Sequence, residues 1–196
     1  MKLATVRLLL MVLMMSSAAC AARYTVSAGT TTIAPGLELA IPTGRDLGYS
    51  IEATQLITAH FRNQVQVFQA YITVTPDKIT VVALDPFGDR AMTIIATDDE
   101  IHAEVAPIVP SVLRPGNILA DIAIVYWPTD AIKRALADTP AIVSDDAKER
   151  TISIDGREVV HVSYCAPHGN SWTKCARLRN IAFGYELELQ SAVTAK

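Results

Sequence analysis

Residues 61–97, FRNQVQVFQAYITVTPDKITVVALDPFGDRAMTIIAT, contain three apolar-rich runs separated by turn chemistry, and no other stretch restricts the fold as much. In the first turn, Thr75-Pro76-Asp77-Lys78, proline supplies the φ that a turn entry needs. The second, Asp85-Pro86-Phe87-Gly88, carries the Asp, Pro and Gly positions of a type I turn. The runs therefore read as an antiparallel meander. Its middle run, with Ile79, Val81, Val82, Ala83 and Leu84, is too apolar for a strand with a wet face and is expected to be covered on both sides.

The rest of the chain either extends this sheet or covers it. A length of 196 residues, 51% of them hydrophobic, suits one domain. The first nineteen residues fall outside it: Lys2 and Arg7, the apolar run LLLMVLMM at 8–15 and the small-residue exit SSAA have the form of a secretion signal, too short for a spanning helix. Small residues before Cys20 resemble a lipobox, in which the cysteine is acylated and becomes the new N-terminus. Ala21 follows where Asp commonly retains such proteins at the inner membrane, so the resemblance implies the outer membrane of a Gram-negative cell. Losing Lys2 and Arg7 takes the net charge from −3 to −5, and no basic face suggests nucleic acid. Residues 20–36, rich in Ala, Thr, Ser and Gly, read as a tether, and 37–196 as a single domain.

Within the domain, Leu37, Leu39 and Ile41 alternate with Glu38 and Ala40 up to Pro42, as a first strand or a short amphipathic turn, and residues 50–61 alternate as Ile51, Ala53, Gln55, Ile57, Ala59 and Phe61 against a wetter face. Another short strand is expected at 101–106. Ile118, Leu119, Ile122, Ala123 and Tyr126 are spaced as a helical face, although a run this apolar also fits a buried strand. After Trp127-Pro128, Thr129 is placed to cap a second helix over 130–137, which makes 115–138 a helical cover. Residues 147–150 read as a charged connection. Asp155-Gly156 between apolar runs predicts a hairpin, and residues 180–190 read as one closing strand.

Cys165 and Cys175 flank a short segment and, in an oxidising compartment, are expected to pair. His161, Cys165, His168 and Cys175 can also be written as a four-ligand zinc set, but their spacing matches no common zinc module. Gly48-Tyr49-Ser50 lacks the second glycine of a nucleophile elbow, and no metalloprotease, nucleotide or dinucleotide motif is present. The chain is expected to be neither an enzyme nor a cofactor or metal binder, and to be a monomer. An apolar sheet face under helices suits a hydrophobic ligand. Trp127 and Pro128 are either the lip of such a cavity or a plug of the core.

The succession of SSAAC, VALDPFGDRAMTI, YWP, the Asp155-Gly156 hairpin and NIAFGYELEL resembles an uncharacterised family of bacterial outer-membrane lipoproteins, often encoded beside aryl-polyene biosynthesis genes. It is more distantly similar to the outer-membrane lipoprotein receptor LolB. The resemblance implies an α+β fold, a LolB/LolA-like antiparallel half-barrel of about 8–11 strands with a helical lid. It also implies a membrane contact through lipid on Cys20 and a cargo of acyl or polyene lipid, or of acylated protein. Cavity or lip positions are then Phe87, Leu119, Ile122, Tyr126 and Trp127, with Phe87 at the place of the receptors' exposed apolar loop residue. The pair Cys165 and Cys175 departs from the receptor pattern. A structural accessory that docks a protein partner is the rival expectation.

Overall fold

The computed structural model describes residues 21–109, 113–165 and 172–193. The expected signal segment and Cys20 lie outside the described residues, as does His168. The described residues hold thirteen strands: β1 Ala22–Ser27, β2 Thr30–Ala34, β3 Leu37–Ala40, β4 Ile51–Phe61, β5 Gln64–Thr75, β6 Lys78–Leu84, β7 Arg90–Ala96, β8 Glu100–Val105, β9 Ile142–Asp145, β10 Glu149–Ile154, β11 Arg157–Tyr164, β12 Cys175–Asn180 and β13 Tyr185–Val193. They also hold three helices: α1 Gly44–Leu47, α2 Pro115–Tyr126 and α3 Thr129–Ala135.

Eleven strands form one antiparallel sheet in the order β1-β8-β7-β6-β5-β4-β13-β12-β11-β10-β9, while β2 and β3 pair separately. The expected meander is β5, β6 and β7. At its second turn the Asp85 carboxylate accepts the N–H groups of Phe87 and Asp89, both at 2.9 Å, and the Gly88 N–H donates to Asp85 O. That network is the reason Asp leads the turn. The Asp155-Gly156 hairpin is also present, with both residues at positive φ (51° and 73°), as a two-residue primed turn requires.

The sheet stays open, with β1 and β9 at its edges, but it curls around α2. This helix contacts both β8 and β12, six strand steps apart, or roughly 29 Å along a flat sheet. One helix of ordinary diameter reaches both only if the sheet wraps it. Side chains from β4, β10, β11 and β13 hydrogen-bond to α2 as well. Every α2 residue from Leu119 to Tyr126 is buried, the pattern of a helix inside a core.

Several expectations need correction. The helical segment is not a lid: α2 is the filling of the sheet, because it has no polar face to turn to solvent. The supposed tether is built into the structure, since β1 pairs with β8 along its whole length and β2 with β3. All six β1 side chains are exposed, so it joins through backbone hydrogen bonds and needs no hydrophobic core of its own. The middle strand β6 is covered on one face only; Ile79 and Val81 are buried, while Thr80, Val82 and Leu84 are half-exposed on the outer face. Residues 180–190 are not one strand but the hairpin β12–β13. The Phe183 N–H donates to Asn180 Oδ1 (2.8 Å) and Gly184 has φ 68°, two local devices that override the alternation. The charged connection expected at 147–150 is shorter than that: Glu149 and Arg150 already belong to β10, which pairs with the edge strand β9. Thr129 does not cap α3: Pro128 holds that position, and the Thr129 hydroxyl donates to Asp145.

Candidate functional site

Inward-pointing residues of β4 to β7 alternate with outward ones, and several are small: Ala70, Ala83 and Ala91 face α2. They leave an apolar cavity of about 60 Å³ between the sheet and the helix, walled also by Phe68, Met92 and Ile122. Two polar side chains line it, Gln55 from β4 and Asp121 from α2. Beside it runs an open groove of about 1080 Å³, bounded by β1 and β8 on one side and by the first turn of α2 and the β2–β3 hairpin on the other. Cavity and groove share Val109 and Leu113.

Asp121 is 4% exposed and its carboxylate accepts the Tyr185 hydroxyl (2.8 Å to Oδ2, 3.0 Å to Oδ1). Burial pushes its pKa up to about 7, against a smaller lowering by that hydrogen bond. Burial, reinforced by the Asp121 charge, also raises the Tyr185 phenol well above its ordinary value. Asn180 completes the chain of contacts, donating to Ile33 O (3.0 Å) and ranging to the Tyr185 oxygen (3.4 Å). On the other wall Gln55 donates to the Tyr126 hydroxyl (2.5 Å) and to Ser191 Oγ (3.0 Å). The Tyr126 ring stacks on Trp172, centroids 3.8 Å apart, and burial pushes its phenol up to about 12.

The fully buried Arg150 closes the far end of α2. Its guanidinium donates to Ile124 O (2.5 Å) and Trp127 O (2.9 Å), carbonyls left without helical partners, and pairs with Asp145 at 2.6 Å. With these carbonyls and Asp145 as partners and no exposed surface, Arg150 anchors the end of the helix.

Of the positions expected to line a cavity, Ile122 does so. Tyr126 lies next to it through Gln55. Leu119 is buried elsewhere in the core. Trp127 is 0% exposed and its indole N–H donates to Thr43 O (2.8 Å), so it plugs the joint between α2 and α3 and forms no lip. Phe87 is 90% exposed on the β6–β7 turn, outside the cavity, with its N–H held by the Asp85 carboxylate (2.9 Å). Cys165 and Cys175 are paired, Cα atoms 5.4 Å apart. His161 contacts Glu158 (3.0 Å), and among the described residues no group of His, Cys, Asp and Glu is placed to hold a metal ion. Sequence reasoning put Gln55 on the drier face of its strand but gave no role to it, Asp121, Asn180 or Arg150. One signal for Asp121 was available, a lone acid inside the apolar run ILADIAIVY.

Residues 52–193, from β4 to β13, match the family model described as Protein of unknown function (DUF3261). No curated protein matches the chain.

Proposed function

We propose that this chain, which belongs to the DUF3261 family, is an outer-membrane-anchored lipoprotein that binds a hydrophobic acyl or polyene lipid, or an acylated protein, and assists its delivery to the membrane. In this reading Cys20 carries the anchoring lipid and the domain is a LolB-like half-barrel. The observation that supports it is an apolar cavity on the inner face of a curled, open sheet, sharing Val109 and Leu113 with a wide groove beside it. Sizes decide how cargo would sit. A cavity of about 60 Å³ is well below the roughly 150 Å³ that accommodates benzene, so it takes no more than a chain end. The groove, at about 1080 Å³, is of ligand size and would hold the chain itself. Burial contributes about 0.8 kcal/mol per methylene, and a chain leaving one apolar environment for another changes little in free energy. Exchange with a membrane then needs no nucleotide.

Native and denaturing mass spectrometry of the protein purified from the periplasm tests this. A native mass larger by a discrete lipid supports carriage, and replacing Ala83 and Ala103 by Trp, to fill cavity and groove, abolishes the increment. Equal masses for the unaltered protein sink it. A second reading, an accessory that docks a protein partner, draws on Leu56, Val67 and Tyr71, exposed together on the outer face of β4 and β5.

A further inference from the structure

An open sheet leaves two edges, and here they differ in how they are protected. β9 is four residues long, begins two residues after Pro140, and turns Asp145 inward to Arg150 (2.6 Å) and the Thr129 hydroxyl. A short edge, a nearby proline and an inward charge all discourage further pairing. β1 has none of these devices. Its six residues pair with β8 without a bulge, include no proline, and carry one charge, Arg23, already paired with Glu104 (2.9 Å). All six are exposed, and β8 is the one strand neighbour of β1 among the described residues. Alternate residues of such a strand turn their N–H and C=O groups away from the sheet.

β1 also borders the wide groove. Ala22, Tyr24 and Val26, every second residue, line it on this side. The opposite bank is polar, with Thr31, Thr32 and Asn117. The Thr31 and Thr32 hydroxyls donate to Asn117 Oδ1 (3.1 Å) and Glu38 Oε1 (2.5 Å), each oxygen keeping lone pairs that accept. A hydrocarbon chain would cover that bank without bonding to it, which costs free energy, whereas a polypeptide brings N–H groups of its own. Size points the same way. Six residues at about 3.3 Å each span about 20 Å, and with strands about 4.8 Å apart and layers about 10 Å apart, one such strand fills on the order of 950 Å³. The groove holds about 1080 Å³.

We propose that β1 is a docking edge for an extended peptide segment of another protein, which joins the sheet as a further strand and lays every second side chain into the groove. Tyr24 and Val26 set the chemistry of that segment: apolar, β-branched residues meet them, while the residues between are polar and uncharged, since Arg23 is already paired. The inference goes beyond the lipid reading and does not rest on it; a strand and a lipid chain would contend for one groove.

The test uses the protein purified from the periplasm, freed of any lipid that the native mass measurement detects. Its probe is a capped hexapeptide of alternating threonine and valine with a terminal nitroxide, a short-range quencher of indole emission. Tyr24→Trp places an indole on β1 and Ile142→Trp one on β9, where Ile142 is 66% exposed; the native Trp127 and Trp172 are buried and supply a constant background. Saturable quenching is expected at 24 and none at 142. Methylating the peptide's amide nitrogens at one set of alternate residues is expected to weaken binding about ten-fold or more, and at the other set to change it little, because only one edge of the added strand faces β1. No saturable quenching at 24 up to millimolar peptide, equal quenching at 142, or the same response to both methylated sets overturns the proposal. Self-association of the protein without peptide binding also overturns it and assigns the edge to a second copy. Lipid is read by mass and the strand by quenching, so either idea can fail while the other stands.

Discussion

Asp121 is the residue whose chemistry is most altered by its surroundings. An aspartate with an ordinary pKa of 3.8 and a folded value of about 7 holds its proton better in the folded state. Between those values the unfolded chain releases the proton while the folded one keeps it, so stability falls as pH rises from about 4 to about 7 and levels off above. The loss is on the order of a few kcal/mol. Asp121→Asn keeps the shape and a partner for Tyr185 but cannot ionise. Urea unfolding of the two proteins at several pH values is expected to show a decline for the native chain and a much flatter profile for the variant; equal slopes would assign the decline to other groups.

At the scale of elements, small features hold large ones in place. The four-residue α1 is closed by Asp46, whose carboxylate accepts the Thr43 N–H (2.9 Å) and hydroxyl (3.0 Å), and it packs directly on the β5–β6 turn. A Cβ on Gly44 would stand 1.9 Å from Thr75 O, a backbone atom that moves only if the turn moves. Gly44→Ala should therefore cost about 1–3 kcal/mol. Gly29→Ala, with nothing within 4 Å of the new methyl, should change thermal stability little. A comparable midpoint for both variants would show that the packing of α1 is looser than its geometry. The larger lesson of α2 is similar. Its spacing and its Pro115 were readable as a helix, but whether an apolar helix covers a sheet or fills it depends on how far the sheet curls.

For the whole molecule, the Cys165–Cys175 bond ties the ends of β11 and β12 across ten residues of sequence. Closing a loop of that length is worth about 2–3 kcal/mol in the chain-entropy model. Reductant should lower the unfolding free energy of the native protein by that amount, and its midpoint with it, and leave a Cys165→Ala, Cys175→Ala double variant unchanged. A native midpoint insensitive to full reduction would contradict the assignment.

The sequence alone determined the local decisions, because their causes are local. Pro76, the Asp85-Pro86-Phe87-Gly88 turn and Asp155-Gly156 each impose backbone geometry within four residues, and alternation assigned the buried face of β4 through Ala53, Gln55 and Ala59. Tertiary structure alone decided the rest. Partners far along the chain recruit β1 into the sheet, because an edge strand needs only a neighbour's backbone groups; Ala22 finds Val105 eighty-three positions away. The candidate site is of the same kind. Gln55, Asp121, Asn180 and Tyr185 lie on β4, α2, β12 and β13, and only the wrapping of the sheet around the helix places an acid, its phenol and an apolar hollow together.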